Sequence, residues 1–293
     1  MNEIKKIEKE LSNFEKTIEK DFKFTFSKLI KILKLLFIQP RLSRKEKKKN
    51  IIIDKDLERR TFENNFLKIY FALGTIFGSK SKVDKMNQKS INEVYLSKGK
   101  KELTIIIHGT SASYYRTMYP MLKWFRKNDI PAVSIGYNSR YPVNFAALSI
   151  KEQIEEVMKK AKTKKINLIG VCLGGVISRY YVEKLDGRYN INKLITVFSP
   201  LKPVNKSSPA YLLHQLLDLN IEKNNKFVKE IENSFSVKDY IALYGMNDYF
   251  IGFDQYPSKK NITQVPIEGG HLFVSFNVSA MKAALAFLKG KKI

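Results

Sequence analysis

Residues 169–175 read Ile-Gly-Val-Cys-Leu-Gly-Gly and follow a short, mostly apolar segment, 166–168. This run predicts a buried strand, a tight turn and then a helix, with Cys172 at the tip of the turn. Gly170 and Gly174 flank the cysteine, because a Cβ atom at either position would collide across so tight a turn. Such a turn lifts one side chain above the end of a parallel sheet and directs neighbouring N–H groups towards a reacting carbonyl. Serine is the usual residue at the tip, so the cysteine is the main departure from the pattern.

Predicted strands and helices alternate around this turn from about residue 92. The first predicted element is a weak strand, Glu93–Ser97, and the last is a helix over 280–288. Between them, apolar runs predict strands at 103–107, 132–137, 166–171, 194–198, 240–244 and 262–266. Strands that alternate with helices predict a mostly parallel sheet with helices on both faces, which is an α/β fold.

An acid and a base follow the cysteine in the chain, each just past a predicted strand. Asp248 comes after the strand 240–244, and His271 comes after the strand 262–266. Open α/β sheets build their sites at this end of the strands. The chain has three histidines; His108 precedes a glycine and is expected to be structural, and His214 lies in an insertion, so His271 is the expected base. Asp254 stays an alternative to Asp248 as the acid.

From about residue 92 to residue 290 the chain resembles α/β-hydrolases, most closely small lipases and esterases. The resemblance rests on Ile107-His108-Gly109-Thr110, the turn at Cys172, Gly245-Met246-Asn247-Asp248 and Gly270-His271. It implies a nucleophile, an acid and a histidine in that chain order. Acyl-transfer chemistry then assigns Cys172 as nucleophile, His271 as proton carrier and Asp248 as the group that orients the ring. The backbone N–H groups of Leu173 and Thr110 are the expected oxyanion donors, and the motif glycines are Gly109, Gly170, Gly174 and Gly175.

The cysteine leaves three functions open. The first is hydrolysis of esters or thioesters through an acyl-cysteine. The second is acyl transfer to an alcohol, because the turn is similar to the Gly-x-Cys-x-Gly-Gly box of polyhydroxyalkanoate synthases. The third is a degenerate hydrolase domain that serves as a binding module at a membrane surface, with Cys172 as a small buried residue.

The segment 202–236 is an insertion in the hydrolase domain, at the place where lipases carry a lid. Apolar residues of this segment form one face over the expected acyl group: Tyr211, Leu212, Leu213, Leu216 and Leu217. Either the segment is a lid and the substrate is a lipid-like ester, or it is an ordinary helical cap packed on the domain.

The N-terminal part of the chain differs in character from the hydrolase domain, 92–293. Residues 1–60 form a predicted basic amphipathic extension, and residues 61–91 a helical connector. Within the extension, residues 22–50 carry ten Lys or Arg residues and one acid, beside an apolar helix face. This pattern suits the surface of an anionic membrane. The other interpretations are a helix packed on the domain or against a partner helix.

The composition of the chain limits its possible disulfides, cellular location, cofactors and partners. The net charge is +25, and the single cysteine excludes an intrachain disulfide. No run approaches the ~20 apolar residues of a membrane span, and no secretory signal is evident. We therefore expect a cytoplasmic protein, either free or peripheral on the inner face of the membrane. No metal site or nucleotide cofactor is predicted, and nucleic acid is only a minor alternative partner that rests on charge.

Overall fold

The computed structural model describes residues 78–110, 113–139, 141–206, 211, 221–246, 248, 251, 262–268, 271 and 277–291. The described residues exclude the predicted extension 1–60 and the part of the predicted connector 61–91 that precedes Gly78. Within the insertion 202–236, they also exclude 207–210 and 212–220.

Six parallel strands form one sheet in the described part of the chain. They are β1 (Leu103–Ile107), β2 (Ala132–Ile135), β3 (Ile166–Val171), β4 (Ile191–Val197), β5 (Asp239–Gly245) and β6 (Thr263–Ile267). Their order is β2-β1-β3-β4-β5-β6, and every neighbouring pair is parallel. Strand order reverses between β1 and β3, and a crevice opens at the carboxyl ends of the strands at such a reversal.

Six α-helices are described: α1 (Lys80–Leu96), α2 (Tyr119–Lys127), α3 (Val143–Ala161), α4 (Leu173–Lys184), α5 (Ile221–Ile231) and α6 (Val278–Leu288). Alternate residues of the central strands enter two separate apolar clusters, as Ile105 and Ile106 show. One cluster contains residues of α3, α4 and α5, and the other contains residues of α2 and α6. The predicted α/β architecture, with helices on both faces of a parallel sheet, is confirmed.

The predicted strand Glu93–Ser97 is wrong, because these residues end helix α1. The Ser79 side chain accepts a hydrogen bond from the Lys82 N–H at 3.4 Å and caps the helix. Val83, Ile91 and Val94 then bury one face at helical spacing. The local sequence 93–97 is compatible with a strand, but the longer apolar period decides the structure. Residue 92, the predicted start of the hydrolase domain, lies inside this helix.

Helix α1 also covers the free edge of strand β2. The Asn87 amide donates to the Ser134 carbonyl at 2.8 Å and accepts from the Ser134 N–H at 3.0 Å. The Ser90 hydroxyl donates to the Ala132 carbonyl at 2.6 Å. These side chains satisfy groups that a neighbouring strand would otherwise bind, so the edge is not open for pairing with another chain.

Candidate active site

The backbone turns sharply between β3 and α4, and Cys172 forms the tip of the turn. Cys172 has φ 54° and ψ −123°, a conformation that costs a residue with a side chain of order 1–3 kcal/mol. A Cβ atom on Gly170 would lie 2.4 Å from the Cα of Gly175, and one on Gly174 would lie 2.4 Å from the His108 carbonyl oxygen. The flanking glycines are therefore required by close backbone approach, as the sequence predicts.

The turn is fixed to the neighbouring strands on both sides. The Cys172 N–H donates to the Val197 carbonyl of β4 at 2.9 Å. A Cβ atom on Gly109 would lie 2.9 Å from the Cys172 Cβ, so only glycine allows the loop after β1 to approach the cysteine this closely. The reversal of strand order between β1 and β3 brings these two loops together.

His271 and Asp248 lie next to the cysteine. The Nε2 atom of His271 is 2.9 Å from the Cys172 Sγ, and its Nδ1 atom is 2.9 Å from the Asp248 Oδ2. The Asp248 side chain is 1% exposed, and its other oxygen accepts the Ile251 N–H at 3.1 Å. The structure thus brings together the three residues predicted as nucleophile, base and acid. Asp254, the alternative acid, and His214, the histidine of the insertion, lie outside the described residues.

These contacts shift the pKa values of the thiol and the imidazole in opposite directions. Burial alone raises the pKa of the Cys172 thiol, but the adjacent His271 and a hydrogen bond from the Leu173 N–H outweigh it, and the pKa is lowered. Burial alone lowers the pKa of His271, but the Cys172 thiolate and the Asp248 carboxylate raise it to about 10. The arrangement therefore favours a thiolate–imidazolium pair.

Two backbone segments border the space above the sulfur. The Leu173 N–H, in the first turn of α4, donates to the Cys172 sulfur. The positive end of the helix dipole also favours negative charge at this position. Thr110, from the loop after β1, lines the same pocket as Cys172 and His271. The two expected oxyanion residues thus lie at one pocket.

A model of the palmitoyl protein thioesterases matches residues 104–258, which is more than half of the 293-residue chain. The chain belongs to the palmitoyl protein thioesterase family. The matched range begins in β1 and includes Cys172 and Asp248, whereas His271 follows it. No curated protein matches the chain.

Solved structures of esterases and lipases are similar to this family member. An esterase of Pyrococcus furiosus is 14% identical, with a TM-score of 0.52, over 66% of this chain and 83% of its own. A lipase of Bacillus licheniformis in its mature form is 16% identical, with a TM-score of 0.48, over 64% of this chain and 90% of its own. At such identity the similarity to the esterase concerns the fold, and together with the family it confirms the predicted α/β-hydrolase fold. The protein is an esterase- or lipase-like α/β-hydrolase.

In this thioesterase-family protein, the pocket at Cys172 has mostly apolar walls. Helix α4 contributes Val176, helix α5 contributes Val228, and the turn after Asp248 contributes Ile251. Val204, at the start of the insertion 202–236, completes this side. Apolar walls beside the thiol suit a hydrocarbon group such as an acyl chain.

Arg179 links both ends of the insertion to helix α4, which follows Cys172. It is 1% exposed. Its guanidinium donates to the carbonyls of Leu201 at 3.4 Å, Ile231 at 2.6 Å and Ser234 at 3.4 Å. It also lies 4.8 Å from the centre of the Phe235 ring. Arg179 is not among the residues predicted from the sequence, although a local signal for its burial exists: it stands three residues from each of two apolar residues, Val176 and Val182.

Asn225 makes a second link within the pocket wall. Its side chain donates to the Val204 carbonyl at 2.9 Å and accepts from the Val204 N–H at 2.8 Å. The first residues of the insertion are thereby held against helix α5. Together with Arg179, this contact gives the pocket a fixed wall in the described part of the insertion.

His108 lies behind the loop that carries Gly109 and Thr110. Its ring stacks on Tyr137 at 4.4 Å, and its Nε2 accepts the Tyr137 N–H at 3.3 Å. The Tyr137 hydroxyl donates to the His108 carbonyl at 2.9 Å. Burial lowers the pKa of His108, which favours the neutral ring with its proton on Nδ1, facing the Gly109 carbonyl at 2.8 Å. The histidine thus supports the loop from behind.

Within the described ranges, no group of three or more His, Cys, Asp or Glu residues is arranged to hold a metal ion. Over the same part of the chain, the helices are too short or too polar to cross a membrane.

Proposed function

We propose that the protein hydrolyses carboxylic esters or thioesters of lipid-like acyl groups through an acyl-Cys172 intermediate. The observation that carries the proposal is the pair of 2.9 Å contacts that link Cys172 to His271 and His271 to Asp248. Membership of a thioesterase family supports both the reaction class and the acyl nature of the substrate.

In the first step the Cys172 thiolate attacks the carbonyl carbon, and a sulfur–carbon bond forms. The negative charge moves to the carbonyl oxygen, which the N–H groups of Leu173 and Thr110 are proposed to bind. As the tetrahedral intermediate collapses, the imidazolium of His271 gives its proton to the leaving alcohol or thiol. Because the thiolate is already formed, this step needs less help from a general base than attack by a serine does.

In the second step water attacks the acyl-cysteine. The neutral His271 takes a proton from the water, and collapse of the second intermediate releases the acid and restores the thiolate–imidazolium pair. Asp248 holds the ring so that Nε2 faces the sulfur and stabilises the imidazolium charge. The sequence leaves open whether an alcohol replaces water as the acceptor, and the product identifies which of them reacts.

The proposed substrate is lipid-like on its acyl side. The apolar walls at Val176, Val204 and Val228 support this side of the proposal. We further propose that the insertion 202–236 acts as a lid, and that the basic segment 22–50 holds the protein at the inner, anionic face of the membrane.

The proposal is tested with p-nitrophenyl esters of increasing chain length. We expect turnover by the wild-type protein, its loss on alkylation of Cys172 with iodoacetamide, and at least a ~10³-fold lower kcat in Cys172→Ala. Cys172→Ser is the companion variant. Hydrolysis that survives complete alkylation of Cys172, or that appears only in the serine variant, would refute the cysteine mechanism. A burst without turnover, converted to turnover by added alcohol, would identify a transferase.

A further inference from the structure

The loop after β1 contributes to a second cavity besides the pocket at Cys172. Thr110 lines the pocket, whereas His108 and Ser113 line a cleft at the carboxyl ends of β1 and β2. The cleft has a volume of about 630 Å³, within the range of roughly 300–1,000 Å³ for small-molecule sites. The proposed mechanism uses no group of this cleft.

The lining of the cleft is polar and aromatic. Four tyrosines line it: Tyr114, Tyr115, Tyr137 and Tyr141. Asp84 supplies a carboxylate, which accepts a hydrogen bond from the Tyr114 hydroxyl at 3.4 Å. The chain has 53 Lys and Arg residues, yet none of them is among the described residues that line this cleft. A phosphate or carboxylate ligand would therefore find no cationic side chain in the described part of the lining.

Ser134 at the floor of the cleft carries a buried hydroxyl without a partner. Its residue is 1% exposed, and its Oγ makes no hydrogen bond in the described part of the chain. Its backbone, in contrast, is fully used by Asn87. A buried polar atom without a partner costs about 1–3 kcal/mol. Ser134 lines the cleft, but its hydroxyl is closed off from solvent, so a ligand group supplies the missing bond only when the serine side chain rotates towards the cleft.

We propose that this cleft binds a neutral polyhydroxy group, such as the glycerol or sugar part of an acyl ester. A ligand hydroxyl both donates and accepts, so it can pair with the Asp84 carboxylate and, once the Ser134 side chain rotates, with the Ser134 hydroxyl. Tyrosine rings offer apolar faces to its C–H groups beside polar O–H groups. This proposal rests on the proposed function for one point only, namely that the bound group is the alcohol part of the substrate.

The binding test uses Cys172→Ala, which binds without turnover, and saturation-transfer NMR with three probes: methyl glucoside, glycerol and glycerol 3-phosphate. We expect signals from the neutral probes and none from the phosphate. Adding Ser134→Ala or Asp84→Asn should weaken binding about three- to tenfold, the effect of one lost hydrogen bond. Ser134→Ala should not lower the melting temperature, because it removes a hydroxyl without a partner.

Thr104→Val is the matched control. Thr104 is fully buried in β1, and its hydroxyl also lacks a partner among the described residues, but it does not line the cleft. We expect this variant to bind the neutral probes as the parent does. Loss of binding in Thr104→Val equal to that in Ser134→Ala would overturn the site, as would preferred binding of glycerol 3-phosphate.

The kinetic test compares a monoacylglycerol with the ethyl ester of the same acid in the active protein. The ratio of kcat/KM for the two substrates should fall about three- to tenfold in Ser134→Ala and Asp84→Asn and stay unchanged in Thr104→Val. If Ser134→Ala and Asp84→Asn lose probe binding but leave the ratio of kcat/KM unchanged, the cleft does not bind the alcohol part of the substrate, and this part of the proposal is overturned. If probes bind but no ester is hydrolysed, the proposed function fails and the cleft remains.

Discussion

The Nε2 atom of His271 lies 2.9 Å from the Sγ atom of Cys172, although 99 residues separate them in the chain. The contact joins the loop after β6 to the turn after β3. It places an imidazole beside a half-buried thiol and thereby favours a thiolate–imidazolium pair before substrate binds.

The pH dependence of alkylation should report this contact. The lowered pKa of Cys172 implies that alkylation by iodoacetamide persists to lower pH than for an ordinary thiol, whose pKa is ~8.5. In His271→Gln the imidazolium is lost while burial remains, so the pKa should return to at least its ordinary value. Below pH ~8.5 we expect slower alkylation of the variant than of the wild-type protein, because the variant holds less thiolate. Mass spectrometry of Cys172 after timed exposure measures the rate, and superimposable profiles for the two proteins would rule out the ion pair.

Asp248→Asn should slow the reaction while the fold is retained. The amide is nearly the same size as the carboxylate, but it presents no charge to His271 and can favour the wrong ring tautomer. We expect kcat/KM to fall by about 10²- to 10⁴-fold. Steady-state kinetics with a soluble p-nitrophenyl ester provide the measurement, with circular dichroism as the check on folding. Asp239→Asn, at an exposed position of β5, is the control and should retain full activity.

Arg179→Met should destabilise the protein and disturb the apolar wall of the pocket at Cys172. The variant leaves the carbonyls of Leu201, Ile231 and Ser234 without their shared donor in a buried region. We expect a loss of about 2–4 kcal/mol in the free energy of unfolding, measured in urea. Because these carbonyls bracket the insertion, kcat/KM should fall more for long acyl chains than for short ones.

Arg188→Met is the matched control for Arg179→Met. Arg188 lies just beyond the same helix and contacts the exposed Tyr189. Removal of a surface arginine should change stability by less than about 0.5 kcal/mol and should leave the preference for acyl length unchanged. If the two variants change stability and acyl-length preference equally, the buried position of Arg179 has no special role.

The sequence predicts the sheet and the order of the site residues because both depend on local signals. Apolar runs mark β1 and β3, glycines mark the turn, and Asp248 and His271 each follow a strand. Helix α1 was missed over Glu93–Ser97, because its burial depends on the distant edge of β2. The apolar neighbours Val176 and Val182 hint that Arg179 is buried, but its partners are carbonyl groups up to 55 residues away, and no local pattern identifies those partners. The second cleft likewise forms from α1, β2 and the loop after β1, which meet only in the folded chain.

Gly174→Ala tests whether the turn tolerates any side chain next to the nucleophile. The added Cβ would lie 2.4 Å from the His108 carbonyl oxygen and 2.6 Å from that of Ile107. Both are backbone atoms of β1 and its loop, so they can yield only if the loop that carries Gly109 and Thr110 moves.

We expect a loss of about 1–3 kcal/mol in the free energy of unfolding and a clear loss of kcat, measured by urea unfolding and by ester hydrolysis. Gly290→Asn is the control, because a Cβ there meets no atom within 4 Å and asparagine tolerates its φ of 67°. Wild-type activity of Gly174→Ala would mean that the loop after β1 is not held at the distance from Cys172 that the oxyanion assignment requires.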